Sequence, residues 1–306
     1  MRGARGARVL QRFCRVAVVG ALAACDPGGS GSARASDAGD ASPGGVAAAP
    51  EATVEPATRV LSLFPPATDV LLALGAGDVL VGRTIDDPYL MGSGLPEVGP
   101  LAAPATEPVI QLQTDLIVYP AETLPGWAIG RVRPIQAALR PLAMDRLALY
   151  PAAIRTLGDW VGRSDEAEVM AVRLEADLAR WSQAAPGEDA ARVLWLVWGE
   201  PLMAVGSRSL QHDLIVAAGG QNALANASRP LSQLSPKDLE RIEADFVFWS
   251  GPSEVPDAVR SALPAVTALD PDLFNGPGSR AAEAVRALAE VIHSDHRSQS
   301  GPESPS

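Results

Sequence analysis

From Arg59 to His293 the chain alternates short apolar runs with segments of helical period, and that alternation narrows the fold more than any other feature. The runs are Val60 to Phe64, Val79 to Val81, Leu116 to Tyr119, Val193 to Trp198, Met203 to Val205 and Phe246 to Trp249. Helical patterns fall at Ala67 to Leu74, Thr106 to Leu112, Pro134 to Leu139, Ala152 to Val161, His212 to Ala218, Pro236 to Ile242 and Ser279 to His293. Strands and helices taken in turn predict an α/β chain with mainly parallel sheets.

One segment breaks the rhythm. SDEAEVMAVRLEADLARWSQ, from Ser164, places Met170, Leu174, Leu178 and Trp181 at spacings of four, four and three, an apolar stripe of helical period. Ser164 or Asp165 can cap it, and Glu166 and Glu168 suit its N-terminal end. Some 20 residues make a rod about 30 Å long, more than a crossover between neighbouring strands needs. The stretches on either side of it echo one another. LIVYP at Leu116 to Pro120 follows a helix and Asp115, and FVFWSG at Phe246 to Gly251 follows a helix and Asp245. Each is a strand ending in an aromatic residue, and ligands of open α/β sheets bind outside the carboxyl ends of strands. Two halves of this kind would present those ends to one cleft.

The termini read differently. Arg2, Arg5, Arg8, Arg12 and Arg15 precede the apolar run Val16 to Ala24, which is too short to span a bilayer and ends in small residues, as a signal peptide does. Leu22-Ala23-Ala24-Cys25 resembles a bacterial lipobox, so residues 1–24 are expected to be removed and Cys25 to carry lipid. Cys14 and Cys25 are the only cysteines, so the mature chain has no disulfide and rests on its core. Residues 25–57 are rich in Gly, Ala, Ser, Pro and Asp and read as a flexible tether; residues 294–306 read likewise as a tail. A net charge of −11 argues against a nucleic-acid partner.

Catalytic signatures are missing. Gly75-Ala76-Gly77 follows a helix rather than a strand, so it is not a dinucleotide loop. There is no Gly-x-Ser-x-Gly elbow and no His-Glu-x-x-His. The three histidines, His212, His293 and His296, are too scattered in sequence to predict a bare metal site, and no protein cofactor is expected.

In order along the chain, SLFPPATDVLLALGAGDVLVGRT, LPEVGP, TEPVIQLQTDLIV, SLQHDLIVAAGGQNAL, LSQLSPKDLERIEADFVFWSG and NGPGSR resemble the periplasmic binding proteins for cobalamin, haem and ferric siderophores, the substrate receptors of ABC importers. The resemblance covers about Arg59 to Ile292. It implies an α/β fold of two Rossmann-like lobes with mainly parallel sheets joined by one long rigid helix. The lobes would be residues 58–160 and 186–293, with the helix at 161–185. It also implies a non-enzymatic monomer on the extracytoplasmic side of the cell membrane that takes a metal chelate, a corrinoid first, and hands it to a permease. A ferric siderophore or haem is the alternative within the family, and a sensor or scaffold lipoprotein is the alternative outside transport.

Site residues follow from the resemblance and from flat apolar side chains at strand ends and loops, which suit a planar macrocycle. They are Phe64, Pro65, Tyr89, Tyr119, Trp127, Trp198, Trp249 and Phe274, with Phe64 and Pro65 on the cleft floor. For Tyr119 and Trp249 core packing is as good a reading as the cleft. Arg83 and Arg229 are candidates to meet an anionic ligand group, whereas Arg280 reads as structural. Glu107 falls where the family meets its permease; in the second half Lys237 and Asp238 stand where relatives carry the matching Glu, so Asp238 would have to substitute.

Overall fold

The computed structural model describes residues 55–122, 126, 130, 137–182, 190–263 and 265–299. The segment read as a signal peptide, Cys25 and Trp127 lie outside them.

In the first lobe β1 (Val60–Ser62), α1 (Pro65–Ala73), β2 (Leu80–Gly82), α2 (Thr106–Gln111), β3 (Leu116–Pro120) and β4 (Ala138–Leu142) follow in turn. Its sheet is parallel throughout, in the order β2-β1-β3-β4. All three residues of β1 are buried, as expected of a central parallel strand covered on both faces. α3 (Tyr150–Val161) and α4 (Ser164–Ser182) come next.

The second lobe runs β5 (Arg192–Gly199), β6 (Leu202–Val205), α5 (Leu210–Ala217), β7 (Gln221–Asn222), β8 (Leu231–Gln233), α6 (Pro236–Leu239) and β9 (Phe246–Trp249). It closes with α7 (Asp257–Ala262), β10 (Val266–Ala268), α8 (Pro271–Phe274) and α9 (Ala281–Gln299). The sheet order is β10-β9-β5-β6-β8, with β7 also on β5. β7, β9 and β10 are parallel to their neighbours, whereas β6 is antiparallel to β5 and to β8, so this sheet is mixed.

The echo between Asp115 and Asp245 has a physical basis. The Asp115 carboxylate accepts the Arg59 backbone N–H at 3.1 Å, just before β1, and Asp245 accepts that of Arg192 at 2.7 Å, at the start of β5. Each thereby pins the neighbouring central strand of its own lobe. One apolar cluster joins Val60, Leu71 and Leu157 to Leu174 of α4, then to Trp195, Phe248 and Leu288 of α9, so both lobes share a core.

Two expectations need correction. The helix expected at Pro134 to Leu139 is wrong for its described end, because Leu116 to Pro120 pair in parallel with Ala138 to Leu142 and make that segment a strand. Six residues are too few for periodicity to decide against such pairing. The last helix continues to Gln299, past the expected start of the tail at Ser294, with no Gly or Pro to stop it before Gly301.

α4 packs back on α3 as a helical hairpin. Gly162 turns the chain at φ 69°, a left-handed conformation that suits Gly as the cap of α3. Gly158 allows the close approach: a Cβ there would lie 2.3 Å from Ala167 Cβ and 2.7 Å from the Arg163 carbonyl oxygen. Arg155 of α3 adds ion pairs to Glu168 and Glu175 of α4. Gly158→Ala should therefore force the two helices apart and cost about 1–3 kcal/mol. A melting temperature lower by several degrees is expected, and an unchanged one would mean the hairpin yields freely.

Candidate functional site

The cleft floor begins at the turn between β1 and α1. The Ser62 hydroxyl accepts the Phe64 N–H at 3.3 Å and donates to the Phe64 carbonyl at 3.1 Å, which fixes Phe64 outside the strand. Pro65 and Pro66 follow as the first residues of α1, where the N–H they lack is not needed. The Phe64 carbonyl then accepts from Ala67 at 2.9 Å and Thr68 at 3.0 Å.

A cavity of about 810 Å³ opens between the lobes. The first lobe contributes Phe64, Pro66, Glu122 after β3, the segment from Leu142 to Arg146 after β4, and Tyr150. Val197 of β5, the segment from Arg208 to Gln211, Pro230 and Leu231 at the start of β8, and Asn275-Gly276 form the facing wall. The carboxyl ends of β1, β3, β4 and β5 thus meet at one space, where open α/β sheets bind ligands.

Its charged groups differ in what they have left to offer. Arg146 is bound to Asp213 across the lobes, Nε to Oδ2 at 2.8 Å and Nη2 to Oδ1 at 2.6 Å, and the Leu147 N–H joins Oδ2 at 2.9 Å. That carboxylate raises the Arg146 pKa, while burial lowers the pKa of His212 beside it. Arg208 is exposed and has no hydrogen bond or ion pair to a described residue, so it is a cation available to a ligand. Among the described residues no group of three or more His, Cys, Asp and Glu side chains is arranged to hold a metal ion.

The expected aromatic residues are largely elsewhere. Phe64 lines the cavity, with Pro66 rather than Pro65 beside it. Tyr119 shares the face of Ile117 on β3 and packs on the cluster of Leu61, Leu63 and Val109, away from the cleft. Trp249 is core: it packs with Leu194 and Val259, and its indole N–H donates to the Ser253 carbonyl at 2.8 Å. Trp198, 42% exposed, donates to the Glu200 carbonyl at 3.0 Å and is not part of the cavity wall.

Phe274 is also core, with its ring edge-on to Trp195 at 5.7 Å. Its neighbour Asn275 reaches the cleft because Trp195 donates to the Ser250 hydroxyl, which in turn donates to Asn275 Oδ1 at 2.7 Å. Tyr89 sits at the lobe junction, its hydroxyl 3.4 Å from the Asp272 carbonyl and from Arg280 Nη2. Arg280 Nη2 donates to the Asp272 carbonyl at 3.3 Å, Arg83 pairs with Glu97, and Arg229 lies outside the cavity lining. Arg146, Tyr150, Arg208 and Gln211 went unnoticed in the sequence because they sit in or beside loops whose positions only the tertiary fold sets.

The two docking candidates differ. Glu107 is exposed in the first turn of α2 and accepts one bond, from the Gln111 amide at 3.2 Å. Asp238 is turned back on its own helix, accepting the Ser235 N–H at 2.7 Å and hydroxyl at 2.6 Å, which hold its pKa low.

Residues 60–270 match the sequence profile of the periplasmic binding protein family. The vitamin B12-binding protein of Pectobacterium carotovorum subsp. carotovorum (strain PC1) is 23% identical over 243 residues, 76% of this chain and 88% of the relative. An uncharacterised ABC transporter substrate-binding lipoprotein of Bacillus subtilis (strain 168) is 23% identical over 257 residues, 78% and 80% of the two chains. The fold is similar to a periplasmic heme binding protein from Pseudomonas aeruginosa, with a TM-score of 0.68 at 24% identity over 78% of this chain and 93% of that one. It is also similar to the periplasmic vitamin B12 binding protein of Vibrio cholerae, with a TM-score of 0.67 at 20% identity over 80% and 99%.

Proposed function

Because the chain belongs to the periplasmic binding protein family, a family of non-enzymatic transport components, we propose that it is the lipid-anchored receptor of an ABC importer. In this reading it captures a metal chelate, with a corrinoid first, in the cavity between its lobes. The observation that carries the reading is that cavity, about 810 Å³ in volume and built from strand ends of both lobes, within the size range of small-molecule sites. Phe64 and Pro66 supply apolar floor and Arg208 supplies the available cation.

The corrinoid preference is supported by the relatives described as vitamin B12-binding proteins. A smaller chelate, haem or a ferric siderophore, is the second reading. It is favoured by a lining in which Phe64 and Tyr150 are the only aromatic residues among those described, so little flat surface is offered. A sensor or scaffold role outside transport draws on Asp238, whose carboxylate is engaged with Ser235 beside Lys237.

The receptor would be a monomer tethered by lipid on Cys25 and flexible residues 26–57 to the extracytoplasmic face of the membrane. A lipoprotein among its relatives supports the anchor, and among the described residues no helix is long and apolar enough to cross a membrane.

Titration of the purified protein with cyanocobalamin, haemin and ferric siderophores, followed by tryptophan fluorescence, should give saturable binding of one chelate. Silence across the series would move weight to the sensor or scaffold role. Glu107→Arg should leave that affinity unchanged and reduce uptake by cells; a loss of affinity would remove Glu107 from permease docking. Cys25→Ser should shift the protein out of the membrane fraction, and an unchanged distribution would refute the anchor.

A further inference from the structure

We propose that His212 is an acid sensor: its protonation breaks a hydrogen bond that holds the first turn of α5 and so loosens the tie between the lobes. The device stands whatever the cavity binds. Successive residues of that turn do separate jobs. Ser209, Leu210 and Gln211 line the cavity, His212 follows, and Asp213 holds Arg146 of the first lobe at 2.6 and 2.8 Å.

The hydrogen-bond pattern fixes which form of the imidazole fits. His212 Nδ1 lies 3.3 Å from Nδ2 of Asn222 on β7. Asn222 is buried, and backbone groups assign both ends of its amide: Oδ1 accepts the Leu224 N–H at 2.8 Å, and Nδ2 donates to the Val205 carbonyl at 3.2 Å. A backbone N–H only donates and a backbone carbonyl only accepts, so the amide cannot be turned over. Its Nδ2 therefore presents a second N–H to His212, which only a neutral ring with its proton on Nε2 can accept. A protonated ring sets N–H against N–H. Asn222 is held at both ends, so the ring and the helix turn that bears it must yield.

The charges around the ring act on the same turn. Burial lowers the His212 pKa most; Asp213, next along α5, opposes that, and Arg146 of the first lobe adds to it. β7, α4 and α9 also pack on α5, and among the described residues they bring no further charge to bear on the ring. An imidazolium would attract the Asp213 carboxylate and repel the Arg146 guanidinium, so it competes with the ion pair that joins the lobes. Because the unfolded chain takes up the proton more readily than the folded one, stability is complete above the ordinary histidine value of about 6.5 and falls as the pH drops below it.

The test follows thermal melting of the full-length protein and of His212→Asn as the pH falls from about 7.5 to about 5.5, across the ordinary histidine value. Asparagine places a non-titrating acceptor, Oδ1, where histidine carries Nδ1, so the bond to Asn222 survives at every pH. The native protein should lose about 2–4 °C more than the variant over that window. Exchange of the Leu147 N–H, which donates to Asp213 at 2.9 Å, should match in the two proteins at the upper pH and be faster in the native protein at the lower one. Equal losses of melting temperature overturn the sensor, and equal exchange at the lower pH overturns its effect on the lobes. If the variant does not fold, the native protein decides alone. Its His212 imidazole resonance, assigned by elimination with His293→Gln and His296→Gln, should titrate below about 6.5, and titration at or above that value overturns the proposal.

Discussion

One carboxylate oxygen holds the junction on which the cleft depends. Asp69 Oδ2, on α1 of the first lobe, accepts the Ser279 N–H at 2.6 Å and the Ser279 hydroxyl at 2.7 Å from the second lobe. The approach needs two glycines. At Gly276 a Cβ would lie 2.7 Å from Pro66 Cγ, and at Gly278, where φ is 54°, it would lie 2.4 Å from Asp69 Oδ2 itself. The NGPGSR loop is therefore shaped by what it crosses. It brings Gly276 against Pro66 and so closes the cavity floor at the point where the two chain segments meet.

A second attachment adds to this one. The Arg146–Asp213 pair joins the lobes with two charge-assisted bonds, and the Leu147 N–H adds a third to the same carboxylate. Arg146 remains 40% exposed at its side chain, so solvent screens part of that attraction. Geometry, more than energy, is what the pair contributes. It orients the segment from Met144 to Tyr150, which carries Tyr150 to the cavity.

The lobes, the interlobe helix and the position of the cleft were legible from the 3.6-residue stripe of α4, the two Asp-led strands and the NGPGSR loop. The cleft side chains mostly were not. In a strand, successive residues face opposite sides, so an aromatic residue ending an apolar run is cleft or core according to a parity that the run does not reveal. Tyr119 follows Ile117 away from the cleft, and Trp198 donates to Glu200 outside it while Val197, one residue earlier, lines the wall. Phe64 was picked by the resemblance and its place at a strand end, and it lines the cavity because β1 stops at Ser62 and the double proline opens α1 directly after it. β7, β8 and β10, at two or three residues each, are too short to carry any period.

These attachments also bear on how the lobes can move. Opening the floor would break the Asp69 and Arg146 attachments, strip Tyr89 of its contacts with Asp272 and Arg280, and separate a core in which Leu71 and Leu157 are continuous with Trp195 and Leu288. Elsewhere in the described lining, Glu122 and Arg208 are exposed, and Arg208 has no partner among the described residues. If this cavity takes the ligand proposed above, adjustment is expected at loop ends and at side chains such as Arg208, while the tied floor of Phe64, Pro66 and Gly276 keeps its shape. A site with a fixed floor and an adaptable charged rim selects ligands mainly by what fits against the floor. The rim then adds charge attraction that salt weakens, because exposed ions are screened and buried contacts are not.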